Sequence, residues 1–424
     1  MPFNLDHLPR SGPRPGPREI IALLAGLMAL NAFAIDAMIP ALPQIGQSLH
    51  VAHENDQQLV VVAYFLGFAS TQLIWGPLAD RFGRKPILAV GVILYIFFAA
   101  LCAIAGSFPL LIAGRVAMGA SAAVTRVLVV AMVRDLFEGE AMARIMSLVF
   151  MVFIVVPVLA PSIGQLILIF APWRAIFVAL ACYAVVMFAW SWLRLPETLH
   201  PEYRRALSPR EIARAVGATV KDPLSRGYTL ALTATFGALV AYISSIQQII
   251  AEAFDRPEIL GLVFGAIAAP MAAASWTNAR VIGRFGLRRV GHSATTAFAL
   301  VAIVHATVVS IGLESLALFV VLQSMTMICF AFASSNLSTL AMDRMAEIAG
   351  TASSVQGVVS TVGAALIGYV IGQAFDGTVR PFLWGMSACA IAALVIIILT
   401  EPKMLFAGPS AAGRQVEPNA AAEA

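Results

Sequence analysis

Long apolar segments separated by short polar turns occupy almost the whole chain of 424 residues. A helix must present roughly 20 apolar residues to cross the hydrocarbon core of a bilayer. The pattern therefore predicts an all-α integral membrane protein with twelve transmembrane helices. The predicted spans lie at residues 19–45, 57–79, 86–107, 109–134, 143–170, 172–194, 226–251, 258–282, 288–312, 315–341, 351–374 and 379–400.

An internal repeat divides the series of spans into two halves. Arg-Phe-Gly-Arg-Lys at 81–85 opens the third span, and Arg-Phe-Gly-Leu-Arg-Arg at 284–289 opens the ninth, 203 residues further on. Such a repeat indicates two pseudo-symmetric six-helix halves, a transporter plan with the substrate cavity between the halves. The predicted parts are a disordered cytoplasmic tail (1–18), a six-helix bundle (19–194), a cytoplasmic linker (195–225), a second six-helix bundle (226–400) and a disordered cytoplasmic tail (401–424).

The linker carries a helix signal of its own. Ser208, Pro209 and Glu211 have the order of a capping box with proline in the first turn. We therefore expect a short amphipathic helix that lies on the membrane surface.

The positive charges predict the orientation of the chain. Of the 27 Lys and Arg residues, 22 fall on the side that holds both chain ends, three fall on the other side, and Arg115 and Arg126 lie inside the fourth span. Loops rich in Lys and Arg stay in the cytoplasm, so both chain ends are expected there.

Composition narrows the functional classes. Only 12% of the residues are charged, against about 25% in soluble domains. The net charge of +4 follows the membrane topology, and we expect no nucleic-acid partner. The four cysteines and six histidines lack metal-ligand spacing, so no metal site is predicted. An enzyme is disfavoured because no nucleophile or acid–base cluster appears, and a membrane sensor because both tails are short.

The turn between the second and third spans carries the most specific motif. It reads Gly-Pro-Leu-Ala-Asp-Arg-Phe-Gly-Arg-Lys-Pro at 76–86 and resembles the signature loop of the major facilitator superfamily of transporters. Gly76 would permit close helix approach, and Gly83 would permit a tight reversal. We expect a gate that controls conformational switching, formed by Gly76, Asp80, Arg81, Gly83, Arg84, Arg134 and Asp135. In particular, Asp80 should meet Arg134 and the start of the eleventh span near Gly350, and so hold the two halves together in the outward-open state.

Further segments resemble one subgroup, the Bcr/CflA-type drug:proton antiporters. They are Asp-Ala-Met-Ile-Pro-Ala-Leu-Pro at 36–43, the fourth-span runs at 115–123 and 134–137, and Pro-Val-Leu-Ala-Pro-Ser-Ile-Gly at 157–164. Met118 departs from the pattern, which usually has Gln there. The resemblance implies drug efflux across a bacterial inner membrane, with protons as the coupling ion and no other cofactor. The expected partners are the lipid bilayer and a small-molecule substrate, and the working unit is a monomer.

Asp36 is the only carboxylate placed deep in a span, where a charge is expensive and usually functional. Asp36 lies about 27 Å above Arg18, and Arg115 about 28 Å above Arg134 on the fourth span, so an ion pair is geometrically possible. We expect Asp36 and Arg115 to couple transport to protons. The alternatives are a structural salt bridge for Asp36 and carbonyl contacts for Arg115.

Other interior residues are candidates for the cavity. Pro157, Pro161 and Gly164 of the fifth span predict a bent helix at the antiporter motif. Arg126 lies near the midplane and either bonds carbonyls or binds an anionic substrate. The cavity or substrate candidates are Asn31, Tyr64, Gln72, Met118, Arg126, Tyr242, Gln247 and Asn336.

Two transport functions remain open. The first is proton-driven efflux of small amphipathic compounds by alternating access, which the family resemblance favours. The second is proton-coupled import of a specific polar or anionic solute, which an unpaired Arg126 would favour.

Overall fold

The computed structural model describes residues 16–137, 142, 145–146, 148–149, 152–200, 202, 209–345 and 348–407. Eleven helices in these ranges are long and apolar enough to cross a membrane, and the helix at the fifth predicted position brings the number to twelve. They are α1 (Pro17–Asp36), α2 (Leu59–Phe82), α3 (Arg84–Ala103), α4 (Phe108–Leu136), α5 (Val152–Phe170), α6 (Arg174–Arg194), α7 (Pro223–Gln248), α8 (Leu260–Phe285), α9 (Leu287–Ser310), α10 (Leu316–Ala341), α11 (Ala349–Gln373) and α12 (Arg380–Thr400).

The polar segments are only partly described. The predicted linker helix is present as Pro209–Lys221 and packs against α7 and α11. The proposed cap at Ser208, the side chain of Glu211, and residues 1–15 and 408–424 of the two tails lie outside the described residues.

The first predicted span is broken directly after Asp36. α1 ends there, a 3-10 turn covers Ile39–Ala41, and a short helix follows at Leu42–Ser48. Pro40 has no N–H, so the carbonyl of Asp36 cannot receive its usual helical hydrogen bond. The predicted first span at 19–45 is present, and the structure adds that its helix is interrupted at this point.

Helix packing repeats between the two halves. In the first half α1 packs against α4, α5 and α6, α4 packs against α2 and α3, and α3 packs against α6. The same pairs recur six helices later: α7 with α10, α11 and α12, α10 with α8 and α9, and α9 with α12. The halves meet where α2 packs against α11 and α5 against α8. The predicted pseudo-symmetric fold is confirmed.

Two glycines bring α2 and α4 into backbone contact. A Cβ added at Gly67 of α2 would collide with the carbonyl oxygen of Val116, and one added at Gly119 of α4 would collide with that of Tyr64. Small residues allow such close approach in membrane proteins. α2 and α4 therefore touch along their backbones from both sides.

The outer surface is apolar. Large side chains such as Phe170, Leu193 and Leu262 are 82%, 76% and 74% exposed. An exposed apolar belt of this kind suits contact with lipid. We name the two ends of the bundle by their loops: the basic face carries the α2–α3 turn and the linker helix, and the opposite face carries the α1–α2 and α11–α12 connections.

Candidate transport pathway and gates

Asp36 is a buried acid without a partner. Its side chain is 4% exposed, and within the described residues it forms no ion pair and no hydrogen bond. α5 packs directly against the segment after Asp36: Gly164 of α5 is so close that an added Cβ would collide with the carbonyl oxygen of Ala37. Tyr242 of the second half lies within electrostatic range of Asp36, and its hydroxyl is buried without a partner. Asp36 thus lies where the two halves meet.

Arg115 does not pair with Asp36 in this structure. Its Nε donates to the carbonyl of Val60 at 2.8 Å and its Nη1 to the carbonyl of Ala34 at 3.0 Å. The guanidinium also lies 4.6 Å from the centre of the Tyr64 ring. The last four carbonyls of a helix lack intrahelical partners, and Ala34 carries one of them because α1 ends at Asp36. Arg115 therefore caps the broken end of α1, which is the carbonyl alternative stated above.

Arg126 lies in a different environment on the same helix. It is exposed, although protein surrounds it at longer range, so it lines an internal cavity. Within the described residues it has no ion pair and no hydrogen bond, and the centre of the Phe68 ring lies 6.0 Å from its guanidinium carbon. The two arginines of α4 therefore lie in different environments, one buried and bonded to carbonyls and the other exposed.

Three of the cavity candidates are packing residues here. Asn31 donates to the hydroxyl of Thr125 at 2.7 Å and accepts from the hydroxyl of Tyr64 at 3.1 Å. Asn336 donates to the side-chain oxygen of Asn278 at 3.0 Å. These bonds tie neighbouring helices together. Asn31 and Tyr64 are thereby satisfied without a ligand, whereas Asn336 Oδ1 is buried without a hydrogen-bond partner among the described residues. Met118 is also fully buried, beside Arg115.

The other candidates keep unpartnered polar atoms. Within the described residues, Gln72 Nε2 and Gln247 Oε1 are buried and form no hydrogen bond. Gln247 also lines a groove of about 660 Å³ between the halves, together with Pro40 and Gln165. Their predicted contact with substrate stays a prediction, as does the bend at Pro157 and Pro161, through which α5 continues as a helix.

The gate motif forms an ionic cluster at the basic face. Arg84 pairs with Asp80 one turn earlier and with Asp135 of α4 at 3.2 Å. Asp135 also accepts a hydrogen bond from the hydroxyl of Thr198 at 3.0 Å. Three of the predicted gate residues are thus brought together, and the segment after α6 joins them.

Glu197 is a member of this cluster that sequence reasoning missed. Its carboxylate accepts from the backbone N–H of Arg84 at 2.8 Å and of Lys85 at 3.2 Å, so it caps the start of α3. Gly83 has a φ of +102°, which favours glycine, and a Cβ there would lie 2.6 Å from Glu197. An acid just after a span was the available signal, since such an acid can reach the unpaired amides of a neighbouring helix start.

Two expectations for the gate have different outcomes. Among the described residues, Asp80 pairs with Arg84, four residues further along the chain, and forms no ion pair or hydrogen bond with Arg134 or the start of α11, so its contact with them in the outward-open state stays a prediction. Arg134 and Arg81 are exposed. Gly76 makes no close helix contact either, since an added Cβ would lie 3.7 Å from Val127, an ordinary distance.

The second half repeats part of the cluster. Gly286 opens α9 with a φ of +84°, and Arg288 pairs with Asp343 at 2.9 Å and with Glu401 at 3.0 Å. Gly283 stands where the first half has Asp80. The acid that could bridge the two halves is therefore present only in the first.

Amide side chains fasten the two halves together at the opposite face. Asn55 donates to the carbonyls of Gln373 at 3.2 Å and Phe375 at 2.9 Å, and it accepts from Gln248 at 3.0 Å. Gln58 donates to Gln248 and to the carbonyl of Gly372. We call this set the amide clasp: Asn55, Gln58, Gln248, Gly372, Gln373 and Phe375.

A second contact closes the same face. Gln165 of α5 donates to the carbonyl of Pro257 at 3.1 Å and accepts from the N–H of Gly261 at 3.1 Å. Across the described residues, every hydrogen bond between the halves involves Asn55, Gln58 or Gln165. Within the described residues, hydrogen bonds therefore join the halves at the opposite face, and none joins them at the basic face.

This fold and these motifs belong to a known class of membrane transporter. The sequence model of the Major Facilitator Superfamily matches residues 24–368. Because that match covers most of the chain, the chain belongs to the major facilitator superfamily. It is a multi-pass membrane transporter and not an enzyme, which confirms the prediction from the motifs.

Individual relatives point to the same subgroup. The bicyclomycin resistance protein homolog of Haemophilus influenzae is 29% identical over 379 residues, covering 88% of this chain and 94% of the relative. The multidrug resistance protein MdtL of Escherichia coli is 26% identical over 380 residues, covering 89% and 94%. Both names agree with the resemblance to Bcr/CflA-type antiporters.

A solved structure shares the fold. The human organic anion transporter MFSD10 (TETRAN) matches with a TM-score of 0.66, covering 91% of this chain and 100% of that chain. Because its sequence identity is 18%, this likeness concerns the fold alone.

Proposed function

We propose that this chain is a proton-driven exporter of small amphipathic compounds, working by alternating access in a bacterial inner membrane. The basic face and both chain ends would be cytoplasmic, and the proton would be the only coupling ion. The working unit would be a monomer. The observation that carries the proposal is Asp36, a buried acid at the contact between the halves that has no ion pair or hydrogen bond among the described residues.

A buried charge without a partner is costly, and a bound proton removes that cost. Asp36 lies at the broken end of α1, against Ala37 and Gly164 of the antiporter motif. Discontinuous helices commonly build the ion sites of secondary transporters. Proton binding and release at Asp36 would therefore change the charge at the contact between the two halves, which move relative to each other during transport.

The two faces supply the gates that alternating access needs. With the amide clasp formed and the basic face free of inter-half hydrogen bonds, the cavity would open to the cytoplasm. In the other state we expect the clasp to part. Asp80 would then leave Arg84 and approach Arg134 and the positive end of the α11 dipole.

The test uses Asp36→Asn in proteoliposomes with an imposed pH gradient and rhodamine 6G as cargo. We expect proton-driven transport to disappear while the amount of folded protein is unchanged. Asp376→Asn is the matched control, because Asp376 is an exposed acid in the α11–α12 connection. Normal transport by Asp36→Asn that still requires the pH gradient would refute the coupling role.

Arg126 gives a specific reason to keep the import of an anionic solute as a second candidate. It is a cavity-lining cation without an acid partner among the described residues. The same liposomes separate the two directions. In efflux, cargo moves from the basic face to the opposite face while protons move from the opposite face to the basic face. In proton-coupled import, cargo and protons move together from the opposite face to the basic face.

A further inference from the structure

Arg126 marks the deep end of the cavity wall on α4. Arg134 is exposed and Val130 half-buried on the same face, whereas Met118 and Ala122 beyond Arg126 are fully buried. Eight residues separate Arg126 from Arg134, about 12 Å along the helix. A guanidinium therefore stands open to the cavity at the depth where the wall closes.

Nothing in the described residues neutralises this charge. The interior acid Asp36 lies at the α1 break and forms no ion pair with Arg126, and the acids Asp80 and Asp135 are both engaged by Arg84. By contrast, Arg115 on the same helix is fully buried and bonded to two carbonyls. A guanidinium without an acid partner in a cavity walled by protein attracts anions, and its planar fork matches a carboxylate.

We infer that Arg126 is a binding site for the anionic group of the cargo, so that the transported compounds include amphipathic aromatic carboxylates. Phe68 lies against the guanidinium, with its ring centre 6.0 Å away, and Tyr64 stacks on Phe68 with ring centres 6.5 Å apart. Phe68 and Tyr64 are buried, so they fix the position of the guanidinium, and the carboxylate of the cargo would meet Arg126 on its exposed side. This inference rests on the proposed function, since it names the substrate class of the same cavity.

The experiment compares two xanthene dyes of similar size, fluorescein as a carboxylate anion and rhodamine 6G as an esterified cation. Binding to the purified protein is measured by fluorescence anisotropy, and transport is measured in proteoliposomes. The variants are Arg126→Gln, Arg126→Lys and the control Arg280→Gln. Arg280 is a matched control because it is exposed and lies 3.8 Å over the Trp276 ring, without an ion pair among the described residues.

We expect Arg126→Gln to weaken fluorescein binding by about tenfold to a hundredfold, the usual value of a charged hydrogen bond. Rhodamine 6G binding should change less than about twofold, and Arg126→Lys should keep part of the fluorescein affinity because it keeps the charge. Arg280→Gln should match the wild type for both dyes.

The inference is overturned if the wild type does not bind fluorescein, or if Arg126→Gln weakens both dyes equally or neither. The binding arm does not depend on transport. Rhodamine 6G efflux without fluorescein binding would refute this inference and leave the proposed function standing. Fluorescein binding lost in Arg126→Gln, without transport of either dye, would refute the exporter and leave the anion site standing.

Discussion

Replacing Asn55 by alanine should weaken the closure of the opposite face. The Asn55 side chain makes three hydrogen bonds across the seam, to the carbonyls of Gln373 and Phe375 and from the amide of Gln248. A fourth bond, from Gln373 to the backbone carbonyl of Asn55, survives the substitution. The substitution therefore removes three of the four hydrogen bonds that Asn55 contributes to the amide clasp and leaves the packing of the helices unchanged.

The expected size follows from these bonds. A net contribution of about 0.5–1.5 kcal/mol for each hydrogen bond gives about 1.5–4.5 kcal/mol for three. Asn55 is half-buried, so water replaces part of the loss and the lower end applies. A change of about 1.4 kcal/mol alters the ratio of closed to open molecules about tenfold. A wild type that is closed about ten to one would become about evenly divided.

The assay is a distance measurement between the halves by double electron–electron resonance in nanodiscs. Spin labels at Ala52 and Gly377, both exposed in connections of the opposite face, report the separation there. The four native cysteines are first replaced, since Cys182 is exposed and would react. Asn55→Ala should shift the distribution towards the longer distance.

Asn278→Ala is the control. Asn278 bonds Ser335 and Asn336 inside the second half, so its loss should lower stability without opening the seam. An unchanged distance distribution in Asn55→Ala, with the protein folded, would refute the claim that the clasp holds this face closed. An equal shift in both variants would attribute the opening to general loosening.

Three further outcomes follow from the gate and the antiporter motif. Asp80→Asn should lower turnover with little change in KM, and a tenfold change in KM at normal turnover would contradict the gating role. Glu197→Ala should lower the unfolding free energy by about 1–2 kcal/mol because it uncaps α3, and an unchanged melting temperature in detergent would count against the cap. Gly164→Ala should reduce transport at least about tenfold because the added Cβ would collide with the carbonyl oxygen of Ala37. Gly217→Ala is the control, and it should leave the transport rate unchanged because there is open space around Gly217. Equal transport rates in these two glycine variants would show that α5 can shift away from Ala37 without loss of function, and would contradict this prediction.

The spans could be predicted because a bilayer demands long apolar segments, and the repeat at 81–85 and 284–289 gave the two halves. The end of α1 could not be placed from hydrophobicity, because the segment stays apolar past Asp36. Pro40 and Pro43 were the local signal for the break. Once α1 ends there, its free carbonyls become the partners of Arg115, so of the two alternatives left open for Arg115 the structure has the carbonyl contacts.

The amide clasp could not be found from sequence for a different reason. Asn55 and Gln373 lie 318 positions apart, and the helix pairing that joins α2 to α11 is set by tertiary packing. The available hint was the concentration of uncharged amides at span ends, at 57–58 and 247–248. Such residues are also common in ordinary connections, so only the fold distinguishes a clasp from a loop.

Because α2 and α4 touch along their backbones, we expect the two helices to move as one rigid body. Because the glycines leave no side chain to repack between them, neither helix can slide or rotate alone. The amide clasp lies where α2 begins, and the opposite ends of α2 and α4 carry Asp80 and Asp135. α2 is about 36 Å long, so a tilt of about 10° displaces one of its ends relative to the other by about 6 Å, roughly one helical turn. Arg126 belongs to α4, so any rotation of the α2–α4 pair that changes the ion pairs of the gate also moves the guanidinium of Arg126 in the cavity.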